Sequence, residues 1–440
     1  MRDYFEELAG AVGALLRGAE SYELNLHAEE SDFVRLNHGA VRQAGTVTQR
    51  TSSIDLAEGK RHAAGSLALS GDLESDRVRL ASLVAELREQ RGALPEDPYL
   101  LVPDEPSSSV RELPNGLPER GEVLDRLRAA GEDRDLVGLY AAGPIEHGFA
   151  SSSGQRNWFG CTSFNFDWSF HLQADRAVKA SYAGLAWRGE ELDAKVARAA
   201  EELELLARPP RSLPPGRYAV SLAPDAVAEL LGLLGWGGFG LRALRTKTSP
   251  LLRMVDAGET LHSSVTITED TAGGLAPDFQ EQGFRRPPRV ALIEAGRHRD
   301  SLVSPRSAVE FAAVTNGASG QEAPLSLDMA GGDLPAAEAL RRLGTGIHVG
   351  NLHYLNYSDR ARCRATGMTR FACFWVENGR LVAPIGVLRF DDTLYRMLGT
   401  NLLGLTAERE TILDPQTYGG RSVHSMRVPG AVIADVTFTL

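Results

Sequence analysis

Cysteine is scarce in this 440-residue chain: there are three, Cys161, Cys363 and Cys373. The number is odd and none of the spacings is that of a zinc-binding pair, so a reduced, cytoplasmic protein is the simplest expectation. Long apolar runs are also missing. None reaches the roughly 20 residues that a bilayer-spanning helix needs. The start, MRDYFEELAGAVGALLRG, carries acids where a secretory signal would carry bases. Positive charge is in deficit, with 47 Lys and Arg against 58 Asp and Glu, a net charge of −11. That field opposes nucleic acid and anionic membrane, and neither is an expected partner. Histidine is absent from His171 to His262, and no two of the ten histidines lie three or four residues apart.

What is present is ordinary for a globular protein, 43% hydrophobic and 24% charged. The length exceeds one core, so two domains are expected, residues 1–208 and 209–440. The boundary is set by RPPRSLPPGR, Arg208–Arg217, whose four prolines stop both helix and central strand. Ahead of it the pattern predicts an amphipathic helix carrying Tyr4, Phe5, Leu8 and Val12. A meander of three or four strands follows, then a helix over Leu73–Arg91 and a surface connection over Pro95–Pro118. A short helix over Gly121–Ala130 comes next. Strands are expected at Leu136–Tyr140, Ile145–Ala150, Asn157–Gln173 and Ala177–Trp187, and a charged helix at Glu190–Ala207. Behind the boundary come a strand at Tyr218–Leu222, a helix at Asp225–Leu234 and strands at Ser263–Glu269 and Arg289–Glu294. Short helices at Ala308–Ala313 and Leu334–Leu343 and a last strand at Ala431–Thr439 complete the reading. The fold class is α+β: an N-terminal α/β sandwich-like domain and a β-rich C-terminal domain with peripheral helices.

The most informative stretch is Gly344–Phe390. Strand-forming runs Cys363–Val376 and Leu381–Phe390 flank Glu377-Asn378-Gly379-Arg380, and Asn-Gly between such runs is a type I′ hairpin signal. Before it, His348–Arg360 concentrates polar and aromatic groups, as a cleft wall would. Asn351, His353, Tyr354, Tyr357 and Arg360 there, with Arg370 and Arg389 on the hairpin, are the candidate peptide-binding residues. A bland reading has the tyrosines as core edges and Asp359-Arg360 tying a turn; the sequence does not separate the two.

The runs VGNLHYLNYSDR, TGMTRF, WVENGRLVAPI and RFDD closely resemble the TldD/PmbA family, its PmbA (TldE) branch most of all. That resemblance implies a protein linked to zinc-dependent peptidolysis. Catalytic members of the TldD branch carry H-E-x-x-x-H on the helix opening the second domain and a cysteine near the C-terminus. Zinc there needs three protein ligands and an open position for water. The matching positions here fall around Gly232, Leu233 and Gly237, and near Gln416, none of which offers that ligand set. The resemblance therefore implies a subunit without its own cofactor, zinc residing in a TldD-like partner of a heterodimer, and an extended peptide as substrate.

Other readings compete. An independent hydrolase could be built around His348 and His353, and a metal site could be assembled from these and His424. A homodimeric binding protein is a third reading, since some PmbA-type sequences carry a DNA-gyrase-modulator label. Gly235-Trp236-Gly237-Gly238-Phe239-Gly240 fits G-x-G-x-x-G in form, but follows a helix rather than a strand and reads as a capping loop. Arg285-Arg286 and the trio Arg242, Arg245 and Lys247 read as solvated loop charges. Asp391-Asp392 reads as the cap and first-turn acid of a helix near Thr393–Leu398.

Overall fold

The computed structural model describes residues 1–173 and 176–439. Its framework is two sheets. The first uses β1 (Ser21–Asn37), β2 (Ala40–Glu58), β3 (Arg61–Ala68), β4 (Ser109–Glu112), β5 (Asp135–Ser151), β6 (Arg156–Gln173) and β7 (Arg176–Gly184). Their order is β3-β2-β1-β5-β6-β4, with β7 also on β6. All neighbours are antiparallel except β4, which runs parallel to β6. Helices α1 (Arg2–Ala14) and α2 (Leu73–Ala93) close one core with Phe5, Leu8, Val12, Leu80, Val84 and Leu87. These side chains recur at three- and four-residue intervals, so each helix presents one apolar stripe. Asp72 caps α2 by accepting from Ser75 N at 2.9 Å. Helices α3 (Arg120–Gly131) and α4 (Gly189–Leu206) close a second core built on Phe164, Phe166, Trp168 and Phe170, which alternate along β6.

The second sheet contains β8 (Gly216–Leu222), β9 (Ile267–Glu269), β10 (Val290–Glu294), β11 (Arg297–His298), β12 (Ser326–Met329) and β13 (Gly346–Asp359). To these it adds β14 (Arg364–Glu377), β15 (Arg380–Pro384), β16 (Arg389–Thr393), β17 (Leu402–Leu413) and β18 (Ser425–Phe438). Because β8 pairs with both β13 and β18, the circuit β8-β13-β14-β16-β18 closes on itself. Helix α5 (Pro224–Gly235) packs seven buried residues, Leu230, Leu231 and Leu234 among them, against this sheet. The two halves share a further core in which Ile145, Phe149, Phe159 and Cys161 meet Ala276, Phe279 and Val423.

Several expectations need correction. Leu136–Tyr140 and Ile145–Ala150 are one strand, β5, running through Pro144. The β1 ladder skips Glu30 and Ser31 at that point, so the amide that proline lacks is not required. Pro95–Pro118 is not wholly irregular, since β4 lies within it. Ser263–Glu269 contracts to β9. The return strand of the hairpin breaks at Ile385–Leu388 into β15 and β16, and β17 was not anticipated. Asp391 and Asp392 are strand residues, not a cap. Asp391 receives Arg364 Nε at 2.5 Å, and buried Asp392 accepts from Thr437 N at 3.0 Å. The helical turn is capped by Thr393, whose hydroxyl accepts from Arg396 N at 3.2 Å. The Asn-Gly turn stands as expected, with Asn378 at φ 50° and Gly379 at φ 73°.

Candidate functional site: a two-lobed cleft between the sheets

The facing sheets enclose a cleft with two lobes, of about 560 and 650 Å³, that share Ala323, Leu325 and His424. In the first lobe α5 faces β6 and β7. Helical spacing puts Asp225 and Glu229 on one side of α5, one turn apart, with Gly232 next along the same wall. Opposite them stand Lys179, whose Nζ lies 3.1 Å from Asp167 Oδ2, and Ser181, which donates to Asp225 Oδ1 at 3.1 Å. Burial raises Asp225 to about 6 and Glu229 to about 7, with Lys179 partly offsetting both. Glu229 has no hydrogen-bond or ion-pair partner among the described residues. The lobe is thus mostly apolar, with two carboxyls held above their ordinary range on one wall and the Lys179–Asp167 ion pair opposite.

The second lobe is lined by β1, β2, β5 and the loops around Phe279 and Gln321. The β1–β5 register sets His27 opposite His147, with ring centroids 4.7 Å apart. Burial pushes His147 down to about 3 and lowers His27 and His424 as well. Arg286 also lines this lobe, so it is not the solvated loop charge expected of it. Arg285 is exposed and pairs with Asp278, at 2.5 Å. The lobe is bordered by the segment 414–424, which is tied to the first sheet through Arg421. Its guanidinium donates to Ser163 O and Oγ at 2.8 and 2.7 Å, to Gly143 O at 3.1 Å and to Ser31 Oγ at 3.2 Å.

The residues singled out from sequence are scattered. Buried Asn351 reaches the first lobe from β13. His353 is exposed and lies against Tyr354, itself 77% exposed, where the β13–β14 register breaks and Tyr354 takes φ 51°. Tyr357 turns inward and donates to Leu233 O at 2.8 Å. Arg360 lies over Trp236 and Tyr357 and donates to Trp236 O at 2.6 Å and Thr248 O at 2.7 Å. It thereby holds the glycine loop, with Gly237 at φ 73°. Arg370 lies over Phe371 and Arg389 donates to Thr366. Neither has a carboxylate partner among the described residues. Leu233 is in the core and Gln416 is exposed. His348 is buried with Nδ1 unpartnered, and neither it nor His353 lines the cleft. Sequence reasoning missed Asp225, Glu229, Lys179, His27 and His147. The acid spacing on α5 was the one available signal.

The family model described as "PmbA/TldA metallopeptidase C-terminal domain" matches residues 215–440. The chain belongs to the PmbA/TldA family. No curated protein matches this family member significantly. Among solved structures, TldE from Thermococcus kodakarensis aligns over 99% of this chain and 100% of its own, with TM-score 0.80 and 14% identity. A protein of Thermotoga maritima named as a modulator of DNA gyrase aligns over 99% and 100%, at 0.77 and 14%. A Bacteroides thetaiotaomicron protein of similar name covers 99% of both chains, at 0.76 and 16%. At such identities the likeness establishes a shared PmbA/TldA fold.

On α5, the positions where the resemblance would put zinc ligands are Gly232 and Leu233. Gly232 has no side-chain lone pair and Leu233 points into the core. Among the described residues no group of three or more His, Cys, Asp or Glu could hold a metal ion. Nor is any described helix long and apolar enough to cross a membrane.

Proposed function

We propose that this chain is a TldE-like, peptide-holding subunit of a cytoplasmic metallopeptidase assembly, and that zinc and bond cleavage belong to a TldD-like partner bearing H-E-x-x-x-H. The observation that carries this reading is the wall of the first lobe. The helix that bears the metal motif in the catalytic branch here presents Asp225, Glu229 and Gly232 to the cleft instead of histidines. What remains is a two-lobed cleft, mostly apolar along α5 and more polar around His27, His147 and Arg286, suited to holding a peptide chain. Strand β7 pairs with β6 alone among the described strands and supplies Lys179 and Ser181 to the cleft. Its outer edge offers backbone groups to which a peptide strand could add.

The independent-hydrolase reading has less support, because one of its two histidines is buried and the other exposed, both outside the cleft. The test is metal content. Chain purified, incubated with zinc and desalted is expected to retain well under one zinc per chain by plasma mass spectrometry. Retention of a full equivalent would overturn the proposal.

A further inference from the structure

We infer that the second lobe is a carboxylate-binding site, in which Arg286 and the His27–His147 pair receive an acidic group of a bound peptide. This rests on the peptide-holding reading above and specifies what kind of peptide is held.

Arg286 is the reason. It donates through Nε to Gly317 O at 3.1 Å, while Nη1 is buried without an acceptor. No carboxylate comes within ion-pair distance of it among the described residues. The nearby acids are otherwise placed. Glu269 accepts from Leu325 N and Ser326 N, each at 3.1 Å, and Glu281 is exposed at the rim of the lobe. A guanidinium withdrawn from water normally keeps a hydrogen-bonded anion, because its solvation is otherwise lost. Here no described residue supplies that anion, and a cavity of about 650 Å³ adjoins the side chain.

The neighbours point the same way. His147 Nε2 is a second buried polar atom without a partner among the described residues, and His27 lies against the same ring. Arg421 adds positive charge on the adjoining wall, its own donors already satisfied by the first sheet. A carboxylate matches the guanidinium fork with two parallel hydrogen bonds and can accept from an imidazole N–H as well. The lobe adjoins the first, with Ala323, Leu325 and His424 on the boundary of both, so a chain held at one lies beside the other.

The carboxylate could be a C-terminus or an Asp or Glu side chain, and the experiment separates them. Fluorescence polarisation would measure binding of the full chain to three labelled hexapeptide pools. The first has free C-termini and no acidic residue, the second is amidated with no acidic residue, and the third is amidated with one Glu. At least one carboxylate-bearing pool should bind about tenfold or more tighter than the second, as one charged hydrogen-bond pair warrants. Arg286→Gln should erase that preference, and Arg286→Lys should keep part of it. Equal binding of all three pools by the unmodified chain, a comparison that needs no variant to fold, would overturn the site and leave peptide holding intact. A preference that survives Arg286→Gln would do the same. Binding of none would contradict peptide holding and this site with it.

Discussion

Arg421 reaches from the segment 414–424 into the first sheet and satisfies acceptors on Ser31, Gly143 and Ser163. Its backbone amide also donates to Glu29 Oε2 at 2.6 Å. Removing the side chain strands these buried acceptors, so Arg421→Ala should destabilise the chain by about 2–4 kcal/mol in urea unfolding. Glu229 gives a pH signature. Its folded value near 7 lies above the ordinary 4.5, so the folded state holds the proton more tightly than the unfolded one. Its contribution therefore falls as pH rises from about 4.5 to about 7 and stays flat above. Glu229→Gln should flatten that part of the stability–pH curve, leaving the variant more stable at pH 8 by on the order of 1–2 kcal/mol. Neither role was readable from sequence. Arg286 looked like one of two adjacent loop arginines, and only the packing of distant strands separates its half-buried side chain, with Nη1 enclosed, from exposed Arg285.

At the scale of elements, local chemistry was the better guide. The hairpin was legible because Asn-Gly states its own turn type. Gly379 sits at φ 73°, and a Cβ there would come 2.9 Å from Arg341 Cα. Gly379→Ala should cost about 2 kcal/mol or more, seen as a lowered midpoint in thermal unfolding followed by circular dichroism. The Arg208–Arg217 proline cluster separates α4 from β8, which already begins within it at Gly216. β17 was hidden because Ala407–Thr411 has no apolar alternation; its strand state comes from pairing with β18. The division at Gly143-Pro144 was a reasonable inference from breaker residues that the fold overrode. A Cβ on Gly143 would lie 2.0 Å from Glu30 O, so glycine there lets β1 and β5 pass closely rather than ending a strand.

At the scale of the whole molecule, the sequence motifs of Gly344–Phe390 gave the family, but the cleft arises from the facing of two sheets that no local pattern encodes. Residues from β1, β5, β6, β7, α5 and β13 meet there although hundreds of positions separate some of them. The candidate residues chosen for their density on one strand mostly serve that strand. Arg360 fixes the glycine loop, Tyr357 ties β13 to α5, and Asn351 alone enters the cleft. The central claim is that the chain holds peptide and leaves cleavage to another subunit. The most direct measurement is peptidase activity on an unfolded protein such as casein, with zinc present, for the purified chain alone and mixed with a TldD-like protein. The chain alone should show no turnover, and turnover in the mixture should exceed the partner's own. Zinc-dependent cleavage by the chain alone would contradict the claim.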